Sequence, residues 1–103
     1  MTTSPQPADT NVLFVPGPRE LNATNSAPFR DQVRSNLKTE HNRIDLDFST
    51  THFVDSSGLG ALISLHKAIC SRPGVLRILN PTPPVQQLLE LTRMHRLFEI
   101  AKV

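Results

Sequence analysis

Between Ile44 and Cys70 the chain changes its hydrophobic period once, and that change limits what the remaining residues can build. Ile44-Asp45-Leu46-Asp47-Phe48 alternates apolar and acidic residues, which is the period of a strand. Leu59, Leu62, Ile63, His66, Ile69 and Cys70 recur at helical spacing, the stripe of an amphipathic helix. Phe53-Val54-Asp55-Ser56-Ser57-Gly58-Leu59-Gly60 joins the two, so both serines fall on a strand-to-helix connection. Ser57 is the expected N-cap, its oxygen accepting from a first-turn N–H. A helix N-terminus carries partial positive charge and unpaired N–H groups, which favour an anion there. Gly58 and Gly60 cost a helix about 1 kcal/mol each against Ala. Their expected use is to clear the first turn of side chains, so that another molecule approaches the backbone closely.

Ser-Ser-Gly between a strand and a helix also reads as a plain turn with a cap. A nucleophile elbow needs Gly two residues before and after the serine. Gly58 meets the second requirement for Ser56, but Val54 occupies the first position. A phosphate-cradling loop fails as well, because no Gly-Lys-Ser/Thr follows the glycines. Asp45 and Asp47 share one strand face. No third acid or well-spaced His joins them, so neither a metal site nor an acid–base pair is expected, and no cofactor.

The remaining residues supply a small α/β domain. A chain of 103 residues buries one core, and with 5% aromatics and no Trp or Tyr that core must be aliphatic. Residues 1–10 are polar with Pro5 and Pro7, and read as a flexible or irregular tail. Val12-Leu13-Phe14-Val15 reads as a buried strand ended by Pro16-Gly17-Pro18. Asn25 or Ser26 caps a helix with Pro28 in its first turn, with Phe29, Val33 and Leu37 on one face. Ser49-Thr50-Thr51-His52 is a loop, with His52 either plainly solvated or on the rim of a partner surface. Ser71-Arg72-Pro73-Gly74 stops the central helix and Val75–Leu79 follows as a strand. Thr82 caps a helix with Pro83 at its first position, presenting Val85, Leu88, Leu89 and Thr92. Leu97–Ala101 closes the chain as a last strand. Strands alternating with helices at this spacing indicate an α/β sheet.

Composition narrows the function classes. Net charge is +2 with scattered basic residues, so no nucleic-acid stripe is read. One cysteine excludes an internal disulfide and suits a reducing cytoplasm. Cys70 lies on the helix's apolar stripe and is expected as a buried thiol. No apolar run approaches a membrane span and no signal peptide is visible, so no direct membrane insertion is expected.

Asp47-Phe48-Ser49 followed by Phe53-Val54-Asp55-Ser56-Ser57-Gly58-Leu59-Gly60-Ala61-Leu62 resembles the signature of STAS domains, the anti-sigma factor antagonist family. The resemblance continues through Ile78-Leu79-Asn80-Pro81 and Leu91–Phe98, and covers roughly residues 11–103. It implies a STAS-type mixed sheet of four or five strands with helices packed on it. It implies a non-enzymatic partner switch in the cytoplasm. The serine after the Asp, Ser56 here, would be the phosphoacceptor for an anti-sigma serine kinase, reset by a serine phosphatase. Asn22, His52, Asp55, Ser56, Ser57, Gly58, Leu59 and Gly60 would form the partner surface. Arg19-Glu20-Leu21-Asn22 departs from the family's Gly-Glu-Leu-Asp at two positions. The second departure, Asn for Asp, keeps an acceptor oxygen but loses a charge. The resemblance leaves open two other roles, an accessory subunit of a membrane lipid-transport ATPase and a stressosome-type scaffold.

Overall fold

A computed structural model describes residues 11–103; the proposed tail, residues 1–10, lies outside the described residues. The elements run β1 (Val12–Pro16), β2 (Glu20–Leu21), α1 (Ser26–Asn36), β3 (Arg43–Asp47), β4 (Phe53–Val54), α2 (Ser56–Cys70), β5 (Val75–Leu79), α3 (Pro83–Leu91) and β6 (Glu99–Ala101). A 3-10 turn, Met94–Arg96, precedes β6. The main sheet has the order β1-β3-β5-β6, and β2-β4 forms a separate two-stranded ribbon. Every described pairing is parallel. The α/β class and the four-strand count therefore hold; the sheet expected as mixed is parallel in every described pairing.

Each parallel pair in the main sheet is joined by a helical crossover, and each new strand is added on the same side of the last. With right-handed crossovers this brings the helices to one face. That face carries Ile44, Leu46, Leu76 and Ile78, packed into one core with Val33 of α1, Leu62, Leu65 and Ile69 of α2, and Val85 and Leu89 of α3. The core is almost wholly aliphatic, with Phe48 and Phe98 its only buried aromatics among the described residues.

Two expectations are corrected here. Val12–Pro16 is a strand, but not a buried one: its residues are half-buried or exposed, with Phe14 38% exposed. It stands at one end of the described strand order, so a continuous apolar run did not mean cover on both faces. Cys70 is exposed. It closes the last turn of α2, one step round the helix from fully buried Ile69, and lies 3.6 Å from His66 Nδ1.

The acidic pattern of β3 also has an unexpected outcome. Asp45 is only 5% exposed, because Arg43 and Arg77 close over it at 3.0 and 3.1 Å. The alternation indicates a strand correctly, yet one of its acids is buried because Arg43 of the same strand and Arg77 of neighbouring β5 bring cations to it. Asp47 is structural: its Oδ1 accepts from Ser49 N–H at 3.1 Å and its carbonyl accepts from Gly17 N–H at 2.7 Å.

The end of α3 carries a backbone conflict. Thr92 closes the helix, and Arg93 follows in the left-handed region at φ 61°, where glycine is usual. Arg93→Gly is expected to stabilise the domain by about 0.5–1 kcal/mol, after allowing for the greater freedom glycine gives the unfolded chain. Thermal unfolding should show a midpoint a few degrees higher; an unchanged or lower midpoint would mean the arginine contributes compensating contacts.

Candidate functional site

The strand-to-helix junction is built from its cap outward. Asp55, not Ser57, is the N-cap of α2. Its Oδ1 accepts from Gly58 N–H at 2.9 Å, so the first turn begins two residues earlier than a Ser57 cap would set it. A carboxylate at this point also answers the partial positive charge of the helix end. Its second oxygen accepts from Ala23 N–H at 3.1 Å, tying loop 22–25 to the helix. The Asp55 N–H donates to the Leu21 carbonyl at 3.1 Å, extending the ribbon of β2 and β4 into the cap.

Ser56 and Ser57 then occupy the first two helical positions, and both are exposed. The two glycines do different things. Gly58 is buried, and an added Cβ would lie 2.5 Å from the Leu21 carbonyl and 2.8 Å from Val54 Cγ1. Its close approach is to this chain's own β2 and β4, which corrects the expectation that it clears room for another molecule. Gly60 is exposed with nothing within 4 Å of an added Cβ, so it leaves the outer face of the helix bare. Leu59 is half-buried against the core, so its side chain serves mainly the domain's interior.

Asn22 lies in the loop that Asp55 secures. Its Oδ1 accepts from Thr24 N–H at 3.0 Å and from the Thr24 hydroxyl at 2.6 Å, and its amide donates to Glu20 Oε1 at 3.3 Å. Asn25 completes the loop: Oδ1 accepts from Asn22 N–H at 2.8 Å and Nδ2 donates to the Glu20 carbonyl at 2.7 Å. That use explains why Asn25, although it stands at the N-cap position of α1, makes no side-chain cap bond. The next residue, Ala23, carries the hydrogen bond that joins this loop to the Asp55 cap.

His52 is exposed, with its N–H donating to the Arg19 carbonyl at 2.9 Å. Thr51 before it is fully buried: its hydroxyl donates to the Pro18 carbonyl, and its carbonyl accepts from Thr82 Oγ1, both at 2.5 Å. Thr82 stands at the N-cap of α3 but makes no side-chain cap bond there. Of the residues singled out in the sequence, His52, Ser56, Ser57 and Gly60 are exposed, Asn22 and Asp55 are half-buried, and Gly58 is buried against Leu21 and Val54.

Sequence reasoning missed the short strand β4, on which Phe53 is half exposed, and the loop bonds of Ala23 and Thr24. A two-residue strand is too short for period-two patterning to register. The only hint was apolar Val54 beside an equally apolar Phe53.

No described helix is long and apolar enough to cross a membrane. The junction offers two exposed serines and a capped helix end. The STAS domain profile matches residues 5–103, and the chain belongs to that family. Within the family it is similar to anti-sigma factor antagonists. A Thermotoga maritima protein assigned to that class is 31% identical over 93 residues, covering 89% of this chain and 81% of the relative. The anti-sigma F factor antagonist of Paenibacillus polymyxa is 30% identical over 70 residues, covering 68% of this chain and 58% of the relative. A solved Thermotoga maritima structure of the same assignment superposes with a TM-score of 0.82 at 28% identity, covering 90% of this chain and 80% of that one. The fold is also that of unphosphorylated SpoIIAA, an anti-sigma factor antagonist, with a TM-score of 0.70 at 22% identity, over 87% of this chain and 77% of that one.

Proposed function

We propose that this chain is a cytoplasmic anti-sigma factor antagonist that binds an anti-sigma serine kinase while Ser56 is unmodified. The kinase phosphorylates Ser56, the complex separates, and a serine phosphatase returns the chain to its binding form. The working unit in this reading is residues 11–103. The chain itself is the substrate and performs no chemistry.

The observation that carries this reading is the setting of Ser56. Its hydroxyl is exposed at the first position of α2, directly after a carboxylate cap that already holds Gly58 N–H. A phosphate there would add about −1.5 to −2 charge at a helix end that favours anions. The fold should therefore accept the modification, while a surface pressed against this junction should not.

Ser56 rather than Ser57 is the expected acceptor. The domain would be incubated with the anti-sigma serine kinase and ATP, and the phosphate located by fragmentation mass spectrometry. Modification of Ser56, abolished in Ser56→Ala, is the expected result. Phosphate found only on Ser57, or persisting in Ser56→Ala, would overturn the assignment.

A further inference from the structure

Asp55 uses its two carboxylate oxygens on different parts of the chain. Oδ1 accepts from Gly58 N–H at 2.9 Å, inside the first turn of α2. Oδ2 accepts from Ala23 N–H at 3.1 Å, 32 residues away in the sequence. The backbone fixes where that carboxylate stands: Asp55 N–H donates to the Leu21 carbonyl at 3.1 Å, and the Asp55 carbonyl accepts from Leu59 N–H at 2.9 Å. Capping the helix needs only the first of the two side-chain bonds. The second joins the cap of α2 to loop 22–25, and among the described residues it is the one hydrogen bond that does so.

The loop's remaining bonds stay within residues 20–29. They set its shape but not its place against α2. Leu21 and Ser26 are buried and hold its two ends. What the Asp55 bond sets is the position of the middle, where Ala23 and Thr24 are exposed.

A phosphate on Ser56 would stand on the residue next to this carboxylate. The transfer forms the bond from Ser56 Oγ to the γ-phosphorus, breaks that phosphorus's bond to the bridging oxygen of ATP, and releases ADP and the hydroxyl proton. It leaves about −1.5 to −2 charge and three acceptor oxygens. The two anions repel each other, and both are drawn to the same N–H groups at the start of α2. The two Asp55 bonds differ in how well they withstand this. The Gly58 bond is shorter, partly buried and local to the turn. The Ala23 bond is longer and exposed, so water can replace it. A carboxylate turning away from the phosphate therefore gives up Ala23 first.

We propose that Asp55 is a positioning residue of the partner surface: while Ser56 is unmodified its carboxylate holds the middle of loop 22–25 beside the start of α2, and phosphate on Ser56 releases that hold. This rests on the function proposed above and names how the modification alters the surface beyond the serine that carries it. Asp55 touches no reacting atom and acts through Ala23. The release is a local opening of the loop, which leaves the global stability of the domain in place.

The test reads amide hydrogen exchange by NMR on the full chain, with phosphoserine built in at position 56 during synthesis so that no kinase is needed. Phosphate is expected to speed exchange at Ala23 by about ten-fold or more, and to leave Ser26, whose N–H donates to the Asn22 carbonyl, within about three-fold. Asp55→Asn separates positioning from capping. Its oxygen can still accept from Gly58 N–H, but its amide nitrogen cannot accept from Ala23. In that variant Ala23 should exchange fast without phosphate, and phosphate should add no more than about two-fold. A capping role alone would not make the response of Ala23 to phosphate depend on residue 55. Unphosphorylated Asp55→Asn should also bind the purified anti-sigma serine kinase about five-fold more weakly in calorimetric titration. Unchanged exchange at Ala23 on phosphorylation would overturn the inference, as would equal acceleration at Ser26 or native affinity in Asp55→Asn. Where Asp55→Asn fails to fold, the phosphoserine comparison in the native sequence decides alone. If the native chain does not bind the kinase, the proposed function fails, while the exchange result still decides whether Asp55 couples the loop to the serine.

Discussion

Phosphate on Ser56 is expected to lower the affinity of the domain for the anti-sigma kinase by roughly 30-fold to several thousand-fold. The magnitude follows from desolvation. A dianionic group carried into a contact surface without a partner charge costs on the order of 2–5 kcal/mol. The same group on the free domain remains solvated at the N-terminus of α2, where the helix dipole offsets part of its charge. The Asp55 carboxylate at the cap opposes it, so the net change in fold stability should be about 1 kcal/mol or less. The measurement pairs calorimetric titrations of the phosphorylated and unphosphorylated domain with denaturant unfolding of both. A large affinity loss with little change in stability is the expected combination. Equal affinities would remove the switch. A large loss of stability would replace a surface mechanism with a folding one.

Gly58→Ala and Gly60→Ala are expected to change stability in opposite directions. At Gly58 the new Cβ meets the Leu21 carbonyl at 2.5 Å, and a backbone atom cannot rotate away. Overpacking of this kind costs up to about 3 kcal/mol, and the better helix propensity of Ala returns about 1. The net loss of about 2 kcal/mol should lower the melting midpoint by about 8–16 °C. At Gly60 no atom lies within 4 Å, so only the propensity gain remains, about 1 kcal/mol of added stability. Partner binding separates the two further. Gly60→Glu should keep the fold and lose the partner, because it fills the bare face of α2. Paired melts and titrations read both effects. A stable Gly58→Ala would mean that β2 and α2 can move apart. A Gly60→Glu variant that binds normally would shift the interface off this face.

The order of elements was legible in the sequence because it rests on local rules. The change of period between Ile44 and Cys70 gave β3 and α2, with β3 displaced by a single residue. Pro83 after Thr82 gave the start of α3, and Val75–Leu79 was read with its observed bounds. The place of Ser56 at a strand-to-helix junction was equally legible, since it belongs to one unbroken stretch. The last strand proved shorter than expected, Glu99–Ala101, because Phe98 turns into the core before pairing begins.

What only the tertiary structure decided depends on partners distant in sequence. Asp55 outcompetes Ser57 as the cap because one carboxylate serves Gly58 and Ala23 together, and Ala23 lies 32 residues away. Asp45 is buried because Arg77 approaches it from β5, although Asp45 sits in an alternating strand that reads as half solvated. Asn25 and Thr82 occupy the cap positions that their residue types announce, yet their side chains serve other segments of the chain. Gly58 and Gly60 look alike in sequence, but only packing against Leu21 and Val54 makes one internal while the other stays open. Propensity and periodicity describe what a segment does on its own. Which oxygen a donor takes, and which side of a helix is left bare, depends on the segments brought beside it once the sheet has formed.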